Sequence, residues 1–282
     1  IGMFFKRIDH LSNTQHKLGK TAAATAGAAI FLGSVFLGAP ASAITGGFAV
    51  PDGKYPFMVQ LELREAGGDW KPHCGASLLD DKTLLTAAHC LPGALPGFDY
   101  EFRAVFNRVD TNKPGGDIVG LDGIRGFAIS PEWESETPAY DPDVGIIKLK
   151  EAAPTSSTVR LPTPGVQPTG TATVTGWGWD KAQNDYSTYL QEVDLPIIDP
   201  DRCDEPFDET RTTTTRGPAL CAGTPDADSG SGDSGGPLFQ AEKDGAITQI
   251  GIVSGGIEGQ PGDYTNLTHP ALQAWVNTER AK

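Results

Sequence analysis

Residues 232–237 have the sequence Gly-Asp-Ser-Gly-Gly-Pro, in which three glycines surround one acid and one hydroxyl. Glycine adopts backbone conformations that other residues avoid, and it lets a second backbone approach closely. The stretch therefore suits a sharp bend that presents Ser234 to a substrate. An ordinary glycine-rich turn has the same composition, so the surrounding sequence has to separate the two interpretations.

The first 43 residues have the form of a secretory signal peptide. Four Lys or Arg residues precede an uncharged run at 21–40, and the small residues Ala41 and Ala43 then mark a cleavage site. A membrane anchor is the alternative, but a run rich in alanine and glycine is only weakly apolar for a span. We expect cleavage after Ala43, secretion, and no membrane attachment of the processed protein.

Removal of this leader leaves a strongly acidic protein. The 282 residues carry a net charge of −14; the leader holds four of the 22 Lys and Arg residues and one of the 36 acids, so the remainder carries −17. Nucleic acids and anionic membranes repel such a surface. We therefore expect no nucleic-acid partner.

All four cysteines follow the leader, at Cys74, Cys90, Cys203 and Cys221. An even number of cysteines in an exported chain predicts two disulfides. His73 and His89 directly precede two of the cysteines, and both residue types bind zinc, but adjacent pairs lack the usual ligand spacing. We therefore predict disulfides, and no metal or other cofactor.

Short apolar runs separated by turns predict an all-β protein. The chain has 35 glycines and 22 prolines, and the runs are β-branched or aromatic. A proline-rich stretch at 154–168 predicts a link between two halves. Residues 269–280 predict a terminal helix with Ala271, Trp275 and Val276 on one face. The predicted strands or strand pieces lie at 55–63, 76–88, 101–106, 144–149, 171–179, 247–255 and 263–267.

A serine hydroxyl becomes a good nucleophile only when a nearby base takes its proton, and that base needs an orienting acid. After the leader the histidines are His73, His89 and His269. His89 directly precedes Cys90, whose disulfide would fix the local backbone. Asp143 opens an apolar run, where a carboxylate is costly to bury unless it is paired. An imidazole would satisfy it.

The chain is similar to trypsin-like serine proteases of the chymotrypsin family over essentially all residues after the leader. The motifs that carry the resemblance follow the order of that family: "ITGG", "LTAAHC", "DVGIIKL", "GWG", "CAG", "GDSGGP" and "DYT". It most resembles the trypsins secreted by bacteria such as actinomycetes. The resemblance implies two antiparallel six-stranded β-barrels with a C-terminal α-helix. The first barrel would occupy 44–160, and the second 161–282.

The same resemblance implies the catalytic roles. His89 is the base, Asp143 its orienting acid and Ser234 the nucleophile, while the backbone N–H groups of Gly232 and Ser234 form the oxyanion hole. Asp141 lies two residues before the chosen acid, but Asp143 stands where the family acid precedes its apolar run. The expected partners are protein or peptide substrates and protein inhibitors of proteases, and the expected state is a monomer.

Activation would depend on the residue exposed by leader cleavage. In this family a new N-terminal Ile or Val folds inward, and its ammonium pairs with the acid before the serine. Here these residues are Ile44 and Asp233. The cleavage site directly precedes Ile44, so we hypothesise that signal peptidase itself generates the active terminus.

The expected primary pocket has Asp228 at its base, where the family selects Arg or Lys. A buried carboxylate would be compensated by a substrate guanidinium or ammonium. A solvated loop acid is the alternative. Further residues of the substrate site are Ser229, Ser254, Gly256 and Gly262, of which Ser254 would also support the triad acid.

Two departures from the family pattern weaken the specificity prediction. Gly255 stands where a tryptophan usually follows the serine, and Gly230 stands where a cysteine usually bridges this loop to the segment before Ser234. A pocket of relaxed or non-basic specificity is therefore the alternative. Two further alternatives are an α/β-hydrolase elbow, against which Pro237 argues because a helix should follow the serine, and an inactive binding homologue.

Overall fold

The computed structural model describes residues 44–65, 67–91, 100–122, 126–133, 142–180, 183–199, 220–256 and 261–282. The described residues form two large β-sheets and one α-helix, α1 (Pro270–Arg280), which confirms the all-β fold with a C-terminal helix. Within these ranges, no helix has the length and apolarity needed to cross a bilayer. The predicted leader at 1–43, Asp141 and Cys203 lie outside the described residues.

The first sheet holds the strands that precede the proline-rich stretch. Numbered along the chain, its strands are β2 (Met58–Glu65), β3 (Lys71–Asp80), β4 (Thr83–Thr86), β5 (Tyr100–Phe106), β6 (Asp117–Gly120), β7 (Phe127–Ile129) and β8 (Gly145–Lys148). They lie in the order β6-β5-β2-β3-β4-β8-β7, and each pair is antiparallel. Strand β4, "TLLT", is buried at every position, so it lies inside the core and ends close to His89.

The second sheet holds the strands of the other half, together with one strand from the start of the described chain. These are β1 (Phe48–Ala49), β9 (Val159–Arg160), β10 (Thr171–Gly176), β13 (Gln191–Pro196), β14 (Leu220–Ala222), β15 (Pro237–Ala241), β16 (Ile247–Gly255) and β17 (Gly262–Asn266). Their order is β1-β13-β10-β15-β16-β17-β14, with β9 paired to β16 in parallel. The proline-rich stretch at 154–168 thus links the sheets and also contributes β9. Among the described residues the sheets have seven and eight strands, because short strands of two or three residues extend them.

A separate hairpin, β11 (Trp179–Asp180) and β12 (Asp185–Tyr186), leaves the second sheet after β10. Its turn contains Asn184 at φ 52°, a left-handed conformation that asparagine tolerates. The Asp180 side chain is buried and accepts hydrogen bonds from the Gln183 backbone and side chain. The hairpin is therefore held by its own polar contacts.

Helix α1 packs against the core of the first sheet. Leu272 and Val276 are fully buried in a cluster that also contains Leu84 and Ile147. The buried face differs from the predicted one, because Ala271 is exposed and Gln273 is buried. Gln273 is stable there because its amide donates to the carbonyl oxygens of Pro162 and Leu267, at 2.8 and 2.7 Å. A hydrophobic pattern cannot reveal a buried face that contains a satisfied amide.

Candidate active site

His89 and Asp143 form a hydrogen-bonded pair between the first sheet and the second. His89 lies in a single 3-10 turn, Ala88–Cys90, directly after β4. Its Nδ1 lies 2.8 Å from Asp143 Oδ2, and its backbone N–H donates to Oδ1 at 3.1 Å. Since an ionised carboxylate only accepts hydrogen bonds, Nδ1 carries the proton and Nε2 is left as a proton acceptor.

A disulfide fixes the turn that carries His89. Cys90 is bonded to Cys74 in β3, which confirms one predicted bridge. Cys221 is also disulfide-bonded, while Cys203 lies outside the described residues. The ligand atoms of Cys74, His89 and Cys90 lie within 4.8 Å of one another, but sulfurs joined in a disulfide are not thiolate ligands. These three residues therefore do not form a zinc site.

The buried Asp143 is supported by the second sheet. Ser254 Oγ donates to Asp143 Oδ2 at 2.6 Å, and Thr265 Oγ1 donates to the Asp143 carbonyl oxygen at 2.8 Å. Ser254 lies at a register shift: Val253 pairs with Tyr264, and Gly255 pairs with the adjacent Asp263. The extra residue makes a β-bulge, a device that redirects a side chain.

The bend at 232–237 packs against the middle of β3 and the end of β4. Gly75 donates its N–H to the Ser234 carbonyl oxygen at 2.8 Å. Gly235 has φ 76°, and a Cβ there would lie 2.2 Å from Thr86 Oγ1. The glycine is therefore required by both conformation and space. These contacts bring the backbone on both sides of Ser234 to the strand ends that lead into His89.

Two backbone donors beside Ser234 are available to a ligand. Asp233 donates its N–H to the Gly230 carbonyl oxygen. In contrast, the N–H groups of Gly232 and Ser234 donate to no acceptor among the residues the structure describes. Gly232 has φ 89°, which turns the backbone sharply just before Ser234. A backbone N–H without a partner is a ready binding group for a negatively charged oxygen.

Asp233 is a fully buried carboxyl. It accepts hydrogen bonds from Gly178 and Gly230 N–H at 2.7 and 2.8 Å. Burial nevertheless raises the pKa of Asp233 to about 7. Ile44 is buried in the core of the same half, in a cluster with Leu238. The start of the described chain is thus already folded into the second sheet.

Asp228 is a nearly buried carboxyl that packs against Gly262. It is 8% exposed and accepts hydrogen bonds from Ser229 N–H at 2.7 Å and Tyr264 Oη at 3.1 Å. Burial raises the pKa of Asp228 to about 7. A Cβ on Gly262 would lie 2.6 Å from Asp228 Oδ1, and a Cβ on Gly256 would lie 3.4 Å from Gly262 Cα. A side chain at Gly262 would therefore collide with the Asp228 carboxylate.

The residues selected from the sequence fall into two neighbouring groups. His89, Asp143 and Ser254 are joined by hydrogen bonds. The Tyr264 hydroxyl lies within hydrogen-bonding distance of both Asp228 and Ser229. Sequence reasoning missed Tyr264, although its motif "DYT" was recognised, because the hydroxyl meets Asp228 only after folding. At Gly255 a Cβ would meet nothing within 4 Å, so no described side chain fills the space that a larger residue would occupy.

His73 and His269 are placed elsewhere. His73 Nε2 lies 2.8 Å from the Cys90 carbonyl oxygen, and its ring packs edge-on against Phe102. Burial lowers the pKa of His73, which favours the neutral ring. His269 is the N-cap residue of α1. No hydrogen bond that the structure describes joins His73 or His269 to Asp143 or Asp228.

Comparison with known proteins gives consistent matches. The family model "Trypsin" matches residues 44–276. The chain is 31% identical to the venom peptide isomerase heavy chain of Agelenopsis aperta, over 76% of this chain and 90% of that protein. It is 29% identical to U21-ctenitoxin-Pn1a of Phoneutria nigriventer, over 82% and 97%, and 27% identical to chymotrypsin-like elastase family member 1 of Bos taurus, over 83% and 88%. These relatives are animal proteins.

Proposed function

The chain belongs to the trypsin family of serine proteases, and from that premise we propose that it is a secreted endopeptidase that cleaves peptide bonds after Arg or Lys. The observation that carries the proposal is the bond of 2.8 Å between His89 Nδ1 and Asp143 Oδ2. This bond leaves the other ring nitrogen to take the proton of Ser234.

The proposed reaction proceeds through an acyl-enzyme. His89 Nε2 removes the hydroxyl proton as Ser234 Oγ attacks the scissile carbonyl carbon, and the C–O π electrons move to the carbonyl oxygen. The N–H groups of Gly232 and Ser234 donate to that oxygen. The histidinium then protonates the leaving nitrogen, the C–N bond breaks, and an ester remains on Ser234. Water, deprotonated by His89, hydrolyses the ester.

The N–H groups of Gly232 and Ser234, which donate to no acceptor among the described residues, support this mechanism. An oxyanion is stabilised best by donors that are already oriented and need no reorganisation, and loss of one such donor costs about 3 kcal/mol of barrier. Ser254 also donates to Asp143, which holds the acid in place beside the imidazolium that forms. The substrates of such a site are peptides or proteins; we further propose that protein inhibitors bind the same cleft and that the enzyme acts as a monomer.

The burial of Asp228 supports specificity for Arg or Lys. A carboxyl with a raised pKa is ionised only with difficulty unless a cation joins it, and a substrate guanidinium would supply that charge. The open space at Gly255 favours the alternative of relaxed specificity, because a wall beside the substrate is missing. Both alternatives share the reaction at Ser234.

Activation by leader cleavage completes the proposal. Cleavage after Ala43 would give Ile44 a free ammonium, and Asp233 is a buried acid that needs a cation. The pair would order the loop between Asp228 and Ser234. Secretion and a likeness to bacterial secreted trypsins belong to the same proposal, and rest on the sequence of the leader and the motifs.

Four matched peptide amides test the proposal. They carry Arg, Lys, Phe or Ala before the scissile bond, and are assayed with the product exported from cells that express the full chain. We expect kcat/KM for Arg and Lys to exceed that for Phe and Ala at least about 100-fold. Similar rates on all four would refute the basic pocket while retaining the protease.

An organophosphorus reagent separates an enzyme from an inactive binding homologue. It should label Ser234 in the exported protein, and the S234A variant should neither be labelled nor hydrolyse any amide. Absence of labelling in the folded wild-type protein would refute the proposed mechanism.

A further inference from the structure

The hairpin of β11 and β12 is bonded to the loop that contains Gly232. Trp179 in β11 donates its N–H to the Ser231 carbonyl oxygen, with 2.6 Å between the two atoms. Ser187, directly after β12, donates to the Gly178 carbonyl oxygen at 2.8 Å. The hairpin is therefore fixed at its base and also to the residue just before Gly232.

The ring of Tyr186 lies against Gly232 itself. A Cβ on Gly232 would lie 2.6 Å from Tyr186 Cε1 and 3.2 Å from Gly178 Cα. The Trp179 ring packs edge-on against the Tyr186 ring, with centroids 5.7 Å apart. Movement of Gly232 toward the hairpin is therefore blocked by an aromatic ring that is itself supported.

This loop needs such support because of its composition. Seven of the eight residues at 229–236 are glycine or serine, and glycine loses much conformational entropy when it is fixed. Gly230 stands where related proteases commonly carry a bridging cysteine, so this position supplies no covalent link. On the side of Gly230, both described hydrogen bonds lie within the loop: its N–H donates to the Asp233 side chain at 2.8 Å, and its carbonyl oxygen accepts from the Asp233 N–H at 3.1 Å. The hairpin supplies contacts on the side of Ser231 and Gly232.

We propose that Tyr186 is a positioning residue that holds the peptide of Gly232 in the orientation needed to stabilise the oxyanion. The inference rests on the proposed function, because it concerns the oxyanion hole of the same site. The carbon edge of the ring carries the role: the Tyr186 hydroxyl forms no hydrogen bond within the described ranges. Phenylalanine at position 186 should therefore preserve this positioning role, and alanine should not.

The test compares Y186A and Y186F with wild-type protein on the best of the four peptide amides. We expect Y186A to lower kcat at least about tenfold while KM stays within about twofold, because a misplaced oxyanion donor weakens the transition state and not substrate binding. Y186F should stay within about twofold of wild type. Y189A is the matched control, since Tyr189 lies in the same segment, is 43% exposed and pairs with Asp110 instead.

A peptide aldehyde gives a second readout that a merely structural role would not move. Its adduct with Ser234 places an oxygen in the oxyanion hole, so its affinity for Y186A should fall in parallel with kcat. If Y186A melts below the assay temperature, Y186L replaces it, and should lose at least about threefold in kcat because leucine lacks the ring edge.

Three outcomes would overturn the inference. They are a kcat for folded Y186A (or for Y186L where it replaces Y186A) within twofold of wild type, equal impairment of Y186F and Y186A, and aldehyde affinity unchanged while kcat falls. Each leaves the protease intact. A wild-type protein that hydrolyses no amide would refute the proposed function, and the inference would fall with it.

Discussion

Asp228 and Asp233 lie five residues apart, and burial raises the pKa of each carboxyl to about 7. Their surroundings differ. Within the described part of the chain, Asp233 is fully buried and accepts from backbone N–H groups, whereas Asp228 is 8% exposed and also accepts from the Tyr264 hydroxyl. Each would gain from a cation, but only Asp228 can receive one from outside.

The D228N variant should remove the preference for basic residues. We expect kcat/KM for the Arg amide to fall at least about 100-fold, because the guanidinium loses its buried counter-charge. The Phe amide should change little. The matched control is D226N, which alters an exposed acid of the same loop. A D228N protein that still prefers Arg would place the basic pocket elsewhere.

The specificity should also depend on pH. Since Asp228 titrates at about 7 in the free enzyme, its charge is present above that pH and is lost on acidification. The ratio of kcat/KM for the Arg and Phe amides should therefore be constant above about pH 8 and fall by up to about tenfold per pH unit below 7. A ratio independent of pH from 5 to 9 would contradict this assignment.

At the scale of elements, β16 and the turn after β4 orient the proposed triad. The bulge at Ser254 directs a hydroxyl to Asp143, and the disulfide from β3 fixes the turn of His89. The reacting groups thus stand on short segments that adjoin strands β4, β8 and β15. Precise geometry requires such support, because small displacements of a reacting group are costly in rate.

The S254A variant should lower kcat about tenfold with little change in KM. The alanine leaves the buried carboxylate of Asp143 with one donor fewer, and a hydrogen bond to a charged group contributes about 1.5 kcal/mol or more. Steady-state kinetics, with the melting temperature as a check of folding, measure the effect. Unchanged kcat would show that His89 alone orients Asp143.

Replacing Cys74 and Cys90 together by alanine should destabilise the protein. The bridge closes a loop with a sequence separation of 16, which corresponds to about 3 kcal/mol of unfolding free energy. Urea unfolding should show the loss, and kcat should fall because the turn of His89 is released. An unchanged urea midpoint would contradict the assigned role of this bridge.

The sequence predicted the central strands, because long apolar runs at 55–63 and 247–255 have few alternatives. Strand β13, "QEVDLP", was not predicted, since only Val193 and Leu195 of its residues are buried. The two-residue strands were missed because they depend on long-range pairing. For the site, the motifs marked the polar residues, while Tyr264 and Tyr186 were not identified as site residues because their partners are distant in sequence.

At the scale of the molecule, the start of the described chain is part of the second sheet. Ile44 is fully buried, Thr45 accepts a hydrogen bond from Asp228 N–H, and β1 pairs with β13. The terminus that cleavage would expose is therefore already close to Asp228. A change at this terminus can therefore affect the proposed substrate site through the contact of Thr45 with Asp228.

We expect the exported protein to begin at Ile44 when its N-terminus is sequenced. The I44G variant should lose at least about tenfold in kcat/KM, since the buried side chain that anchors the terminus is missing. T45A, at an exposed position, is the control. Because an ammonium paired with Asp233 has a pKa raised above about 8, activity should be present at lower pH and be lost as pH rises through that value. A mature start far from Ile44 would refute activation by signal peptidase.

Helix α1 follows the second sheet in the sequence, yet it packs in the core of the first sheet. Leu272 and Val276 belong to that core, Lys148 donates to the Arg280 carbonyl oxygen, and Arg280 pairs with Asp80. Synthesis makes the strands of the first sheet before those of the second, and α1 follows both. The half that carries His89 therefore gains this packing partner only after the strands of the second sheet have been made, so it cannot complete its core on its own.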